Sequence, residues 1–242
     1  MSHYDLVVIG SGPAGKSAAI QAAKLHRKVL VVERNTRVGG VSVHTGTIPS
    51  KTLRETALNL SGWRERSFYG RSYRAQEGIK SEDLLIRLHK TLDYEVDVLE
   101  HQFTRNRVET LEGVARFTSD TAIEVTNSTG EVCEITSDSF VISTGTHPFR
   151  PDYIPFNGTT ILDSDEILNL SSIPRSLIVV GAGVIGVEYA TILASLDVHV
   201  TLVEPRETFL DFIDRTLIAE FTHQIREMGI DLRLGSKIDL VE

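Results

Sequence analysis

The chain has 242 residues, is 41% apolar and 24% charged, and carries a net charge of −8. That is the composition of an ordinary soluble globular protein with one large or two modest domains; its acidity disfavours a nucleic-acid or anionic-membrane surface. The first apolar run, 6–9, is too short for a secretory or membrane segment, so the cytoplasm is expected, and a lone Cys133 allows no internal disulfide and no metal cluster.

In chain order, residues 4–9 read as a buried parallel strand, 13–25 as an Ala-rich helix and 28–33 as a second strand. Residues 34–49 look irregular, 50–60 helical, and 61–80 carry no clear pattern. Residues 81–103 form an amphipathic helix with the stripe Leu84, Leu85, Leu88, Leu92, Val96, Leu99 and Phe103, expected to pack on its own sheet. Ser81 suits the N-cap, with Glu82 and Asp83 in the first turn. Short strands with turns at 118–120 and 127–130 fill 107–145 as a β-meander. Pro148, Pro151 and Pro155 mark a domain crossing, giving domains 1–150 and 151–242. A strand follows from 176, then a helix over 214–228 with Gly229 as its C-cap, then a strand over 230–234.

Two glycine loops stand out. Gly10-Ser11-Gly12-Pro13-Ala14-Gly15 and Gly181-Ala182-Gly183-Val184-Ile185-Gly186 each follow a strand and open a helix. Each is followed, 23 positions after its first glycine, by an acid that ends the next strand: Glu33 and Glu204. This is the dinucleotide fingerprint in its full context. Its glycines make the tight turn, admit the pyrophosphate and let helix pack on strand, and the acid accepts from ribose hydroxyls. The helix N-terminus adds free N–H groups and a positive dipole end. The expected fold is α/β, with two Rossmann-like βαβ units in parallel, three-layer sheets and a meander in the first. Two units imply two dinucleotides and hydride traffic between them.

The segment Gly39-Gly40-Val41-Ser42-Val43-His44-Thr45-Gly46-Thr47-Ile48-Pro49-Ser50-Lys51 resembles the redox segment of the flavoprotein disulfide reductases, whose pattern is GGxCxxxxCIPSK. Ser42 and Thr47 replace the two cysteines. The Thr47-Ile48-Pro49-Ser50-Lys51 run, its continuation through Glu55, the second glycine loop through Ala190 and the 210–214 region resemble the transhydrogenase branch of that family. The resemblance runs through the whole chain.

It implies FAD on the first loop, held by Gly10, Gly12, Pro13, Ala14, Gly15, Glu33 and Arg34, with Gly40, Val41, Thr45, Gly46, Ala115, Thr144 and Gly145 also near the flavin nucleotide. It implies NAD and NADP on the second loop, through Gly181, Gly183, Val184, Ile185, Gly186, Glu204 and Arg206. Lys51 is implied to pair with Glu188 beside the flavin, and Thr47 to hydrogen-bond near it. The expected activity is FAD-dependent hydride transfer between NADPH and NAD. A dihydrolipoyl dehydrogenase-like reductase is disfavoured by the absent cysteine pair, and a non-catalytic nucleotide-binding fragment is the rival of another class. Family members continue for about as many residues again. The resemblance therefore implies an N-terminal half with both nucleotide domains incomplete and inactive alone, and a homodimer only for the longer form.

Overall fold

In the computed structural model, which describes residues 2–241, the chain forms two compact units. One is built from Met1–Pro49 and Lys90–His147, the other from Ser50–His89 and Pro148–Glu242. A single boundary at 150 was expected; instead residues 50–89 group with the C-terminal part. Tertiary contacts explain this. Arg66 and Arg74 both reach Asp197, at 3.0 and 2.6 Å, and the Ser81 hydroxyl donates to the carbonyl of Ser171 at 2.8 Å.

The first unit carries a six-stranded sheet in the order β3-β2-β1-β6-β5-β4. Its strands are β1 (Ser2–Ile9), β2 (Val29–Glu33), β3 (Glu109–Glu112), β4 (Val114–Ser119), β5 (Ala122–Thr126) and β6 (Val132–Ile142). β1 pairs in parallel with β2 and β6, and β2 in parallel with β3; β4, β5 and β6 form the antiparallel meander. β3 therefore lies outside the meander, at the far edge. Two clusters cover the sheet. Ala19 of α1 (Pro13–Lys24) and Val96, Leu99 and Phe103 of α5 (Ser81–Arg105) pack with Val8, Val29 and Val31. Ile123, Val125 and Ile135 of the meander pack with Tyr4, Val7, Leu30 and Val32. Successive strand residues face opposite sides, so the near-continuous apolar runs of β1 and β2 are those of strands buried on both faces. This unit has the three layers expected.

The second unit carries β7 (Ser176–Val180), β8 (His199–Glu204) and β9 (Asp231–Leu234), all parallel and in chain order. α6 (Val184–Ser195) and α7 (Arg215–Glu227) are the crossovers. Right-handed crossovers between successive neighbours put both helices on one face. Leu177, Val179, Val200 and Leu202 pack there with Ala190, Leu193 and Ile225. Ile178 and Val180 on the other face are exposed.

Three local expectations are corrected. The irregular 34–49 stretch contains α2 (Gly40–His44) and the start of α3 (Thr47–Ser61). Pro49 falls in the first turn of α3, where a missing N–H costs nothing. The unassigned 61–80 stretch contains a 3₁₀ turn, Trp63–Glu65, and α4 (Arg66–Tyr69). Finally, the hydroxyl of Ser81 points to Ser171, and the carboxylate of Asp83 accepts from the Lys80 amide at 2.9 Å, so the reach-back to α5 comes from Asp83.

Candidate functional site

The first glycine loop joins β1 to α1. The Gly10 amide donates to the Val32 carbonyl at 2.8 Å, and its φ of +104° is one a side chain would strain. Gly12 is extended and precedes Pro13 at the start of α1, with no side chain capping this end. The first-turn amides thus have no helical partner. A Cβ on Gly15 would overlap the Gly10 carbonyl oxygen, so only glycine lets α1 approach β1 this closely. Such a cradle of backbone donors under a positive dipole end fits a pyrophosphate.

Glu33 lies beneath the loop and is only 7% exposed. Its Oε2 accepts from the Ser11 amide at 3.0 Å and the Ser11 hydroxyl at 2.6 Å; its Oε1 accepts from the Asn35 amide at 3.0 Å and side chain at 3.1 Å. It is not a solvated strand-end acid. Burial pushes its carboxyl upward, but the Ser11 and Asn35 hydrogen bonds and the charge of Arg34 together hold it below the usual range.

The second loop repeats this geometry. Gly181 has a φ of +98° and donates to Val203 at 2.8 Å, Gly183 is extended before α6, and a Cβ on Gly186 would overlap the Gly181 carbonyl oxygen. Glu204 Oε2 accepts from the Ala182 amide at 2.9 Å and Oε1 from the Arg206 amide at 3.2 Å. Among the residues that bond the acid, the loops differ at two matching positions. Ser11 becomes Ala182, and Asn35 becomes Arg206. Arg206 Nε donates to Glu204 Oε1 at 2.7 Å and Nη1 reaches Asp211 at 3.4 Å. Arg206 is thus folded onto the acid rather than standing free. This pairing, first of all, holds the Glu204 carboxyl down to about 2.

Lys51 on α3 and Glu188 on α6 belong to the second unit and meet at 2.5 Å. The pair is half wet, with side-chain exposures of 59% and 16%. Behind it, Leu53 and Tyr189 line an apolar cavity with Leu84, Leu168 and Leu193. The Tyr189 hydroxyl has no hydrogen-bond partner there among the described residues, and burial pushes it well above its ordinary range.

The remaining expected residues fall into two sets. Gly40 abuts the first loop: a Cβ on it would come 2.8 Å from Gly12 Cα. Thr144 and Gly145 follow β6 beside Ser143, whose hydroxyl lies 3.0 Å from the Ile9 carbonyl and 3.1 Å from that of Gly10. Val41 and Thr47 are exposed, Thr45 and Gly46 half-buried, and Ala115 packs under the meander cluster. Arg34, Pro13, Ala14, Val184 and Ile185 are exposed at the loop mouths. Sequence reasoning missed Ser11, Asn35 and Ser143. Aligning the two fingerprints on their glycines shows Ser11 and Asn35 among the positions that change, with Pro13, Ala14 and Arg34; Ser143 carries no such signal.

A family model described as pyridine nucleotide-disulphide oxidoreductase matches residues 4–242. The chain is 46% identical over its whole length to a protein of Mycobacterium bovis named soluble pyridine nucleotide transhydrogenase, and 38% identical over 99% of its length to one of the same name from Stutzerimonas stutzeri. It spans about half the length of these relatives, 52% of each. Among solved structures, it matches a Cu(II) complex of the HOCl-induced flavoprotein disulfide reductase RclA from Escherichia coli with a TM-score of 0.83 at 26% identity, covering 100% of this chain and 51% of that one. It shares the fold of LpdA from Mycobacterium tuberculosis, with a TM-score of 0.87 at 24% identity over 100% of this chain and 53% of that one.

Proposed function

The chain belongs to the pyridine nucleotide-disulphide oxidoreductase family, and from that premise we propose that it serves FAD-dependent hydride transfer between NADPH and NAD. The observation that carries this reading is the pair of glycine loops with one geometry, each seated on its own buried acid. FAD, when bound, supplies the acceptor and donor of the hydride. The first loop takes the FAD pyrophosphate on its free amides, and Glu33 takes the ribose by releasing an internal donor such as Asn35. The second loop takes NADPH and NAD in turn, so binding and release alternate at one place. The Lys51 ammonium, oriented by Glu188, stabilises the negative charge that reduction creates. Ser42 and Thr47 carry no thiol, so electrons have no protein relay beyond the cofactors. The domain roles follow: the N-terminal glycine loop serves FAD and the C-terminal one NAD(P). No described helix is long and apolar enough to cross a membrane, and we place the protein in the cytoplasm, as a homodimer in its longer form.

A second reading, nucleotide binding without catalysis, draws on the openness of the second loop, where a Cβ on Gly181 or Gly183 would meet nothing within 4 Å. One experiment separates the two. The chain is purified alone and fused to the C-terminal half of the Mycobacterium bovis relative, and both are loaded with FAD. Bleaching of the flavin absorbance by NADPH without oxygen, and its return on adding NAD, is expected of the fusion. A fusion that holds FAD yet never bleaches overturns the hydride-transfer reading in favour of the second.

A further inference from the structure

We infer that Ser11 is a positioning residue whose hydroxyl clamps the Gly39–Gly40 segment over the first dinucleotide loop, so that this loop retains its nucleotide while the second exchanges its own. The inference rests on the reading of the first loop as the FAD site. The molecule contains its own control. At the matching position of the second loop stands Ala182, and there the loop keeps its glycine conformations, its strand-to-strand amide bond and its bond from residue 182 to the acid. The hydroxyl of Ser11 is therefore not needed to shape such a loop.

What the hydroxyl adds lies elsewhere. Ser11 is fully buried, so no water competes for its hydrogen bonds. It has one proton, given to Glu33 Oε2 at 2.6 Å, and its oxygen accepts from the Gly39 amide at 2.8 Å. The acid that holds the ribose and the segment that covers the loop are thereby joined through one side chain. Gly39 and Gly40 take φ values of +126° and +61°, and a Cβ on Gly40 would come 2.8 Å from Gly12 Cα. The segment thus lies backbone against backbone on the glycine that admits the pyrophosphate. In the second loop a Cβ on Gly183 would meet no atom of the described residues within 4 Å. One loop is covered and clamped; the other is open and carries no clamp. A cofactor that stays and a substrate that leaves need that difference.

The test is Ser11→Ala in the fusion to the C-terminal half of the Mycobacterium bovis relative, with FAD dissociation followed by the recovery of flavin fluorescence, NADH affinity measured at the second loop, and amide exchange read at Gly39 and Gly40. Loss of a buried hydrogen bond to a charged partner predicts FAD release faster by about tenfold, with quicker exchange at Gly39 and unchanged NADH affinity. A folded variant with unaltered FAD release overturns the inference alone. A variant that fails to fold also overturns it, since the hydroxyl would then serve the fold. Should the wild-type fusion take up no FAD, the reading of the loop falls and the inference with it. Ala182→Ser, which gains a hydroxyl with no segment to hold, is expected to leave NADH release unchanged; slowed NADH release would count against the clamp.

Discussion

Lys51 Nζ donates to Glu188 Oε1 at 2.5 Å, which joins the second turn of α3 to the second turn of α6 across 137 positions of sequence. An exposed pair of this kind contributes about 1 kcal/mol or less to stability. We expect Lys51→Met to shift thermal unfolding little, yet to slow flavin reduction by NADPH more than it weakens NADPH binding. Stopped-flow traces with an unchanged reduction rate would remove Lys51 from the proposed chemistry.

Gly15 and Gly186 tolerate no side chain, because a Cβ would overlap a backbone oxygen that cannot swing aside. Gly15→Ala is expected to abolish FAD binding and spare the second loop, and Gly186→Ala to do the reverse. Each substitution costs about 2 kcal/mol or more through steric overlap and lost packing. Isothermal titration of each variant with FAD and NADH decides it; an alanine variant that binds normally shows that helix and strand can part without consequence.

The strands, the two loops and the acids were legible because each is a local pattern: an apolar run, a fixed glycine spacing, an acid 23 positions on. What was not legible depends on contacts distant in sequence. Residues 61–75 have no period of their own; Arg66 holds them by stacking on Trp63 and by bonding Tyr73 and Asp197. The pairing of β3 with β2, rather than with the meander, is set by the long helix before it, which returns the chain to the far edge of the sheet. The Lys51–Glu188 pair was reached through resemblance, since nothing in the spacing of two residues on separate helices announces a contact. Ser11 was passed over because the fingerprint treats its position as any residue.

The chain's thiol chemistry is confined to Cys133, exposed on β6. Thiol titration is expected to find one group per chain both before and after incubation with NADH. Lipoamide and glutathione disulfide should not be turned over, because two electrons need a pair of sulfurs to leave the flavin by this route. A second thiol appearing on reduction would refute this.

The buried Tyr189 hydroxyl faces apolar side chains and has no partner among the described residues. A buried, unsatisfied polar group is unfavourable by about 1–3 kcal/mol, and phenylalanine keeps the ring that packs. Tyr189→Phe should therefore leave the protein as stable or more stable, by up to about 1 kcal/mol, in denaturant unfolding. A loss of stability would reveal that the hydroxyl bonds a buried water.

Glu204 and Arg206 carry the clearest electrostatic prediction. The Glu204 carboxyl, ordinarily near 4.5, is held at about 2 in the folded chain, first of all by the Arg206 hydrogen bonds. A carboxyl depressed on folding stabilises the protein above its unfolded value and loses that contribution as the pH falls through its folded one. Stability from this pair should be full above pH 4.5 and drain away between there and about pH 2. In Arg206→Ala the folded value rises toward 4.5, so the loss still begins near pH 4.5 but ends at higher pH and is smaller. The same pair is expected to govern which dinucleotide binds. A 2′-hydroxyl donates to Glu204, whereas a 2′-phosphate is repelled by that acid and must draw Arg206 away from both Glu204 and Asp211. NADPH binding should then weaken with salt more than NADH binding does, since only NADPH adds a doubly charged phosphate for Arg206 to hold. Loss of the arginine should weaken NADPH selectively, by about tenfold; Glu204→Ala should weaken NADH selectively. Equal effects on both nucleotides, measured by titration calorimetry at two salt concentrations, would show that the adenosine end of the second loop does not discriminate between them.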